Sequence, residues 1–548
     1  MGDRVQSGLS LATSHDCQAP AFRAVSRRLR AWPLLAIAGL ALVLGLWRQR
    51  HFFHDDAYVS LRYADRLLAG RGLTWNDGEP VEGFSSPSWL AQVVLLGTLG
   101  IPLPLAARLL GVAYALATLV LWSRAKAEPA GLLVLVTVSG FPLWSWGGLE
   151  TIAACFWTLA TMILLLRIPL QQAFSRNGAL LGLALAAVAL ARPEGIAVGV
   201  SLLCAVWPAR RKRSLVTSAA VLVAAWVAYE SFRLAYFGDW IANGARAKTL
   251  GLPLGMRIES AAIYLAKTSP QWLGAVFVAA WMLAWSPQRK RTCGLLLPAL
   301  PLVCVVVLGG GDHMLGARFM LAPVAVMCFA GSLAPASPRR WVRTATPLLA
   351  MACGLWQFQM AWRHQAAPNP AAAIGEIVGR ALETGLAPGT LVATATAGSV
   401  PYFAPSLAFI DTLGLNDRHI ARQSPAAIPV ALDQAENWAA VPGHVRGDGD
   451  YVLSRHPEVI MLGGANGDIA PWFLGDYQVI TSKAFQSAYA PWRLLVAVPP
   501  DLQPWVADEI DAKTGRLPVT LYVRRDTPAW SAMARKAEPL SPLWASAQ

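Results

Sequence analysis

The sequence has few charged residues. Asp, Glu, Lys and Arg make up only 14% of its 548 residues, whereas 55% of the residues are hydrophobic. Soluble domains usually carry about a quarter charged residues. The composition therefore excludes an ordinary soluble protein and predicts an α-helical protein that crosses a membrane several times.

The surplus of basic residues does not indicate a nucleic-acid-binding protein. The formal net charge is +14, but the basic residues form short clusters between apolar stretches, and such clusters hold loops in the cytoplasm. They lie at 27–30, 124–126, 210–213, 289–291 and 339–343. We therefore expect the lipid bilayer as a partner and no nucleic acid.

The sequence also lacks the motifs of several cofactor sites. Its seven cysteines contain no C-x-x-C pair, and none follows Trp362, so neither disulfides nor a zinc site are expected. No Walker motif or other Gly-rich nucleotide loop occurs. No cofactor and no metal site are assigned, although the adjacent acids Asp55 and Asp56 leave a divalent metal open.

Eleven apolar stretches predict the membrane part of the chain. They lie at 32–47, 105–122, 131–146, 150–167, 178–191, 196–207, 215–237, 271–286, 294–309, 319–333 and 344–361. A further apolar stretch at 86–99 is placed flat on the outer surface, because all five basic clusters then fall inside. The prediction is a loose cytoplasmic tail (1–31) and about eleven transmembrane helices within 32–362.

The first outer loop, 48–104, is predicted to form a lid. Tyr58, Leu61, Ala64 and Leu68 recur at helical spacing. An amphipathic helix here, followed by the flat apolar segment, would cover a cavity at membrane level.

The region 363–548 has a different pattern, which predicts an α/β domain outside the membrane. Residues 371–386 have helical periodicity. Short strand-like runs occur at 390–394, 407–410, 459–462, 477–480, 494–498 and 519–523. This domain is expected on the outer side, together with the first outer loop.

Two adjacent acids at the membrane edge are the candidate catalytic residues. Asp55 and Asp56 follow the first apolar span, and a carboxylate near apolar surface has a raised pKa and can act as a general base. The structural alternative is that one of them N-caps a helix starting at Ala57. With two acids, a cap and a base can coexist.

Cations and further acids on the same outer side are candidates for substrate binding. An arginine can hold a phosphate oxygen, and the alternative for Arg192 is an ion pair with Glu194. The candidates for binding a donor phosphate are Arg192, Arg318, His313, His54, Arg246 and Lys248. The candidates for contacts with a sugar or acceptor are Glu82, Trp75, Glu150, Glu194 and Asp312.

The outer-loop motif resembles that of a known enzyme class. Residues 54–65, followed by 72–84, are similar to the first outer loop of GT-C glycosyltransferases. More narrowly, they resemble arabinofuranosyltransferases, typified by the terminal enzyme of mycobacteria, and a pilin-modifying enzyme related to these. Residues 310–319 and 410–422 are similar as well.

The resemblance implies a reaction and a set of partners. The donor would be a polyprenyl-phosphate sugar, and an acid of the pair, preferably Asp55, would be catalytic. The C-terminal domain would help to hold the acceptor.

The sequence is therefore interpreted as a membrane glycosyltransferase (a pentosyltransferase) of the bacterial inner membrane, with its active site extracytoplasmic. It would move a sugar, most simply arabinofuranose, to a polysaccharide or a pilin-like protein. Two alternatives are a transporter or flippase of lipid-linked saccharides and a non-catalytic surface-assembly protein. A transporter would place charges in the middle of its spans, whereas here the interiors of the assigned spans are nearly free of charge, apart from Glu230 and Arg233 near the outer end of one.

Overall fold

A computed structural model describes residues 18–167, 176–206, 212–363, 369–425 and 443–546. The first part of the predicted tail (1–17) and part of the basic cluster at 210–213 lie outside these ranges. The chain is mostly helical, with one mixed sheet near its C-terminus.

Sixteen α-helices precede the C-terminal region in the described ranges. They are α1 (Gln18–Arg48), α2 (Asp55–Leu68), α3 (Pro87–Thr98), α4 (Leu103–Ala125), α5 (Pro129–Val136), α6 (Gly140–Trp146), α7 (Thr151–Arg167), α8 (Arg176–Ala191), α9 (Gly195–Val206), α10 (Lys212–Phe237), α11 (Asn243–Thr249), α12 (Leu254–Ala284), α13 (Arg289–Cys293), α14 (Ala299–Gly309), α15 (Arg318–Leu333) and α16 (Arg340–Arg363). Each predicted apolar stretch overlaps one or two of these helices in the described residues. Because α1 already begins at Gln18, the predicted loose tail is helical over its described part.

Among the described residues, three helices are long and apolar enough to cross a membrane. They are Leu103–Ala125, Leu215–Phe237 and Leu315–Leu333. The pair α5 and α6, bent by 63°, adds a fourth if it forms one span. Shorter apolar helices account for several other predicted stretches, so the figure of about eleven spans stays a prediction.

The first outer loop contains the predicted amphipathic helix, α2. Its apolar positions Leu61 and Ala64 are buried, as the helical spacing indicated. The apolar segment after it forms α3, which starts at a proline, as helices often do.

The C-terminal region is α/β, as predicted. Its helices are α17 (Pro370–Gly385), α18 (Ser399–Tyr402), α19 (Arg418–Arg422), α20 (Gly449–Ser454), α21 (Leu474–Thr481), α22 (Lys483–Ala488) and α23 (Pro528–Ala534). Its strands are β1 (Leu391–Thr394), β2 (Ala408–Asp411), β3 (Val459–Met461), β4 (Tyr489–Val496), β5 (Leu517–Arg524) and β6 (Glu538–Pro539). The sheet order is β2-β1-β3-β5-β4-β6. Strands β1, β2 and β3 are parallel, and the other pairs are antiparallel.

One strand prediction in this region is wrong. The run 477–480 lies in helix α21. Asp476 accepts hydrogen bonds from the backbone N–H groups of Trp472 and Phe473, which fixes the start of a helix there. A four-residue apolar run does not distinguish a strand from a buried helical turn, and here the local hydrogen bonds decided.

A buried arginine joins α2 to the C-terminal region. Arg62 donates to the backbone carbonyl of Trp75 at 2.9 Å and to that of Leu407 at 3.2 Å, and it also binds the carbonyl of Pro401. Its guanidinium lies 5.1 Å from the ring centre of Phe409 in β2. The middle of α2 is therefore held against segments that come more than 300 residues later in the chain.

Candidate active site

Helix α2 begins two residues earlier than the sequence suggested, at Asp55 rather than Ala57. The backbone N–H of Asp56 donates to Nδ1 of His54 at 3.2 Å, so His54 is the N-cap and Asp55 is the first helical residue. The prediction that an Asp caps a helix starting at Ala57 is wrong. Burial lowers the pKa of His54 to about 4, and the neutral ring provides the acceptor nitrogen that the cap requires.

The two adjacent acids point to different surroundings. Asp55 Oδ1 accepts from the backbone N–H of Ser399 at 2.8 Å and from its hydroxyl at 2.5 Å. A Cβ on the neighbouring Gly398 would lie 2.1 Å from the backbone oxygen of Asp55, so only glycine permits this approach. Asp55 therefore joins α2 to the start of α18 in the C-terminal region.

The protonation of Asp55 gives a testable pH dependence. Burial raises its pKa from 3.8 to about 6, against the opposing effect of the Ser399 hydrogen bonds. Between about pH 4 and pH 6 the folded protein then binds more protons here than the unfolded chain, so the free energy of unfolding falls as the pH rises. The difference amounts to about 3 kcal/mol at most.

We expect Asp55→Asn to remove this part of the pH dependence, because asparagine does not titrate but can still accept from Ser399. Thermal unfolding of both proteins in the same detergent, from pH 4 to pH 8, would measure it. As the pH increases from about 4 to 6, the Tm of the variant should rise relative to that of the wild type. Parallel curves would show that Asp55 titrates normally in the folded protein.

Asp56 lies in a charged cluster that is partly open to solvent. Its Oδ2 is 3.2 Å from Nζ of Lys248 in α11. The side chains of Asp56 and Lys248 are 27% and 35% exposed, and that of His313 is 31% exposed. Burial opposes ionisation of Asp56, but Lys248, His54 and His313 outweigh it and lower its pKa below the usual value. The partly exposed side chains of Asp56, Lys248 and His313 form the accessible face of the site.

The loop between α14 and α15 supplies the second half of the cluster. Asp312 Oδ2 accepts from Nε of Arg318 at 2.8 Å, and both side chains are buried. Gly311 has a φ of +77°, and a Cβ there would lie 2.5 Å from Cβ of Tyr264. The glycines of this loop thus allow it to turn sharply against α12 and place Asp312 and His313 beside Asp56.

His313 is held in its neutral form. Burial is the main cause that lowers its pKa, and Asp312 and Asp56 only partly offset it. A neutral imidazole can donate one hydrogen bond and accept another. Near neutral pH, His313 is therefore a hydrogen-bonding group rather than a fixed cation.

An aromatic ring connects Arg192 to the same cluster. The guanidinium groups of Arg192 and Arg318 lie 5.0 and 4.8 Å from the centre of the Phe319 ring. Arg192 donates to Glu150 at 2.7 Å and also binds Glu194. The ion pair of Arg192 with Glu194 is confirmed, and Glu150 is a second acid that binds this arginine.

Three of the candidate residues lie away from the cluster. Arg246 donates to Asp239 at 2.8 Å. Glu82 is buried and accepts from Arg233 and Tyr229 at 2.6 Å each. Trp75 is also buried, with Arg62 5.4 Å from its ring centre. Since burial and existing partners occupy these side chains, we leave them out of the functional proposal.

Two residues of the site were missed at the level of sequence. Ser399 binds Asp55 across 344 positions of the chain, and no local pattern marks such a serine. The ring of Trp144 lies 5.2 Å from the Arg318 guanidinium and 5.6 Å from the His54 ring. Trp144 belongs to an apolar run, where an interior role is the usual interpretation.

A metal site finds no support from clustering. Among the described residues, no group of three or more His, Cys, Asp or Glu side chains is placed to hold a metal ion. The dependence on a divalent metal that the acid pair left open stays untested.

Comparison with known sequences supports the resemblance. The chain is 30% identical over 247 residues to a terminal β-(1→2)-arabinofuranosyltransferase of Mycobacterium tuberculosis. The match covers 40% of this chain but only 38% of that relative. A family model described as "Domain of unknown function (DUF8728)" matches residues 359–506, which is less than half of the chain.

An alignment with one solved structure supports the fold. The archaeal oligosaccharyltransferase AglB from Archaeoglobus fulgidus, in complex with an inhibitory peptide and a dolichol-phosphate, aligns with a TM-score of 0.50 at 11% identity. The alignment covers 92% of this chain and 77% of that one. ArnT from Cupriavidus metallidurans bound to undecaprenyl phosphate aligns over 69% of this chain and 85% of its own, with 12% identity and a TM-score of 0.45.

These findings confirm the resemblance that the motifs indicated. The curated relative is an arabinofuranosyltransferase, and the fold is similar to that of an oligosaccharyltransferase, another enzyme of the GT-C class. The resemblance to GT-C glycosyltransferases therefore stands, while the activity of this chain is a matter for proposal.

Proposed function

We propose that this protein is an integral-membrane glycosyltransferase that moves a pentose from a polyprenyl-phosphate donor to an acceptor outside the cytoplasm. The observation that carries the proposal is the contact of Asp56 with Lys248 beside His313, at the accessible face of a buried charged cluster. It places an acid, a cation and a neutral imidazole where a sugar phosphate could enter. The arabinofuranosyltransferase relative supports arabinofuranose as the sugar.

The reaction would form one bond and break one bond at the anomeric carbon. The acceptor hydroxyl oxygen attacks this carbon and gives its proton to a carboxylate, while the bond from the carbon to the phosphate oxygen breaks. The bonding electrons pass to that oxygen, and polyprenyl phosphate leaves. Cations near the developing charge lower the barrier.

The geometry favours Asp56 over Asp55 as this carboxylate. A general base must first be within reach of the proton, and only then does its pKa matter. Asp56 is partly exposed, whereas Asp55 is buried and bound to Ser399. We therefore propose that Asp56 receives the proton and that Asp55 positions the start of α2, although the motif resemblance alone favoured Asp55.

Donor binding would activate Asp56. In the free protein, Lys248 and its neighbours keep the pKa of Asp56 low, which makes it a weak base. A phosphate bound by Lys248 and His313 would bring a negative charge beside Asp56 and raise its pKa towards the range useful for catalysis. The base would then gain strength only when the donor is present.

The proposal is tested by turnover of the donor. Purified protein in sealed proteoliposomes would be incubated with radiolabelled decaprenyl-phosphoryl-arabinofuranose and a short synthetic arabinoside. We expect time-dependent transfer of the label to the arabinoside and release of decaprenyl phosphate. Movement of the intact lipid-linked donor across the bilayer without cleavage would instead support a flippase.

A further inference from the structure

A cavity lies between the first outer loop and the C-terminal region. Its volume is about 470 Å³, within the range of sites for small molecules. One wall is the segment 79–81 of the first outer loop, and the other walls come from α19, α20 and the residues beside them. None of the candidate binding residues predicted from the sequence lines it.

The walls of this cavity combine a flat aromatic pair with fixed polar groups. The rings of His419 and Tyr451 are stacked with centres 4.0 Å apart and an interplanar angle of 16°. Arg455 donates to the Tyr451 hydroxyl at 2.8 Å and to Glu79 at 2.9 Å. These contacts use only part of the hydrogen-bonding capacity of Arg455 and Glu79, so both can also bind a ligand.

The arginines of the cavity already have hydrogen-bond acceptors. Arg455 is paired with Glu79, and Arg422 is paired with Asp239 at 2.9 Å. Arg418 binds the carbonyls of Pro80 and Phe237. An anionic ligand would have to compete with the acids and carbonyls that already bind these arginines, whereas a neutral ligand with many hydroxyl groups could bind donors and acceptors together.

The shape of the cavity also argues against an extended peptide. Peptides are commonly bound by adding a strand to an open sheet edge or by placing an apolar helix face in a groove. The lining residues belong to helices and loops, and only Pro80 and Val81 among them are apolar. A polyhydroxylated chain fits these walls better.

Helix α11 links this cavity to the charged cluster. At its start, Asn243 donates to the carbonyls of Gly414 and Asp417, in the segment that lines the cavity. Five residues later, Lys248 binds Asp56. That separation is about 7.5 Å along the helix axis, so an acceptor of a few sugar units could occupy the cavity while its end approaches Asp56.

We infer that the cavity binds a neutral oligosaccharide, which would be the acceptor of the transfer. This inference rests on the proposed function for the acceptor role, but binding itself can be measured without any donor. Arg455 and the His419–Tyr451 pair would hold the saccharide through hydrogen bonds and ring contact.

The test is a binding measurement on the full chain in nanodiscs. The probes are a linear arabinofuranose pentasaccharide, a galacturonic acid tetrasaccharide and a threonine-rich peptide. The wild type should bind the pentasaccharide most tightly, and Arg455→Met should weaken that binding about tenfold to a hundredfold, because a charged donor is lost. Tyr451→Phe, which keeps the ring, should weaken it less, and Arg455→Lys should restore part of the affinity.

The matched control is Arg535→Met, which changes an exposed arginine outside the cavity. It should bind the pentasaccharide as the wild type does. Undecaprenyl phosphate affinity should be the same in all these variants, which separates this inference from the donor site. Absence of pentasaccharide binding, equal affinity in Arg455→Met, or preference for the uronate or the peptide would each overturn the inference while leaving the proposed transfer reaction standing.

Discussion

Replacement of Asp56 by asparagine is expected to reduce sugar transfer about a thousandfold. A positioned general base typically contributes a factor of about 10² to 10⁴. Asparagine keeps the size of the side chain but can neither accept the proton nor form an ion pair with Lys248. The loss should appear mainly in kcat, measured with radiolabelled decaprenyl-phosphoryl-arabinofuranose and a synthetic arabinoside.

Asp55→Asn is the informative comparison for this experiment. Since asparagine can still accept from Ser399 through its amide oxygen, we expect a loss of less than about tenfold. Thermal unfolding of both variants would show whether the fold is intact. If Asp55→Asn were inactive and Asp56→Asn active, the roles assigned to the two acids would have to be exchanged.

The pH dependence separates the same two assignments. If Asp55 were the base, its pKa of about 6 would cause kcat to fall about tenfold for each pH unit below that value. With Asp56 as the base, no loss of activity should be centred on the Asp55 titration, and Asp55→Asn should leave the acid side of the profile unchanged.

Replacement of Lys248 by methionine is expected to have the second largest effect, a loss of about a hundredfold in kcat/KM. Removal of one preorganised hydrogen-bond donor usually lowers kcat by a factor of about 10² to 10³. Lys248 is the partly exposed cation closest to Asp56 among the described residues, so it can contact both the donor phosphate and the carboxylate. Affinity for undecaprenyl phosphate, measured without acceptor, should fall as well.

Two further variants make this result specific. Lys248→Arg keeps the charge and should recover a substantial part of the activity. Lys267→Met removes an exposed lysine of α12 and should behave as the wild type. If Lys248→Met bound undecaprenyl phosphate with unchanged affinity, the role of Lys248 in holding the donor would be ruled out.

Periodicity over many residues made much of the fold predictable. The apolar stretches correspond to helices, and the spacing of Tyr58, Leu61, Ala64 and Leu68 correctly indicated α2. Five of the six predicted strand runs overlap strands in the structure. The strand prediction for 477–480 was wrong because hydrogen bonds to Asp476, and not the hydrophobicity of four residues, determine the conformation of this run.

The candidate site was predictable in its residue types but not in its pairings. Asp56, Lys248, His313 and Arg318 were all candidates from the sequence, and the structure places them in one cluster, whereas Asp55 turns towards Ser399. The same criteria selected Glu82 and Trp75, which are buried elsewhere. Residue type and position relative to the membrane do not distinguish a side chain that faces a ligand from one that is buried against other parts of the protein.

The sequence by itself determined that this chain is a helical membrane protein with polar residues gathered between its spans, because low charge and long apolar runs act over many positions. Only the tertiary structure decided that Asp55 faces Ser399 while Asp56 faces Lys248. It also revealed a cavity between segments more than 300 residues apart. Neighbouring residues at the start of a helix point in different directions, and what each direction meets depends on distant parts of the chain.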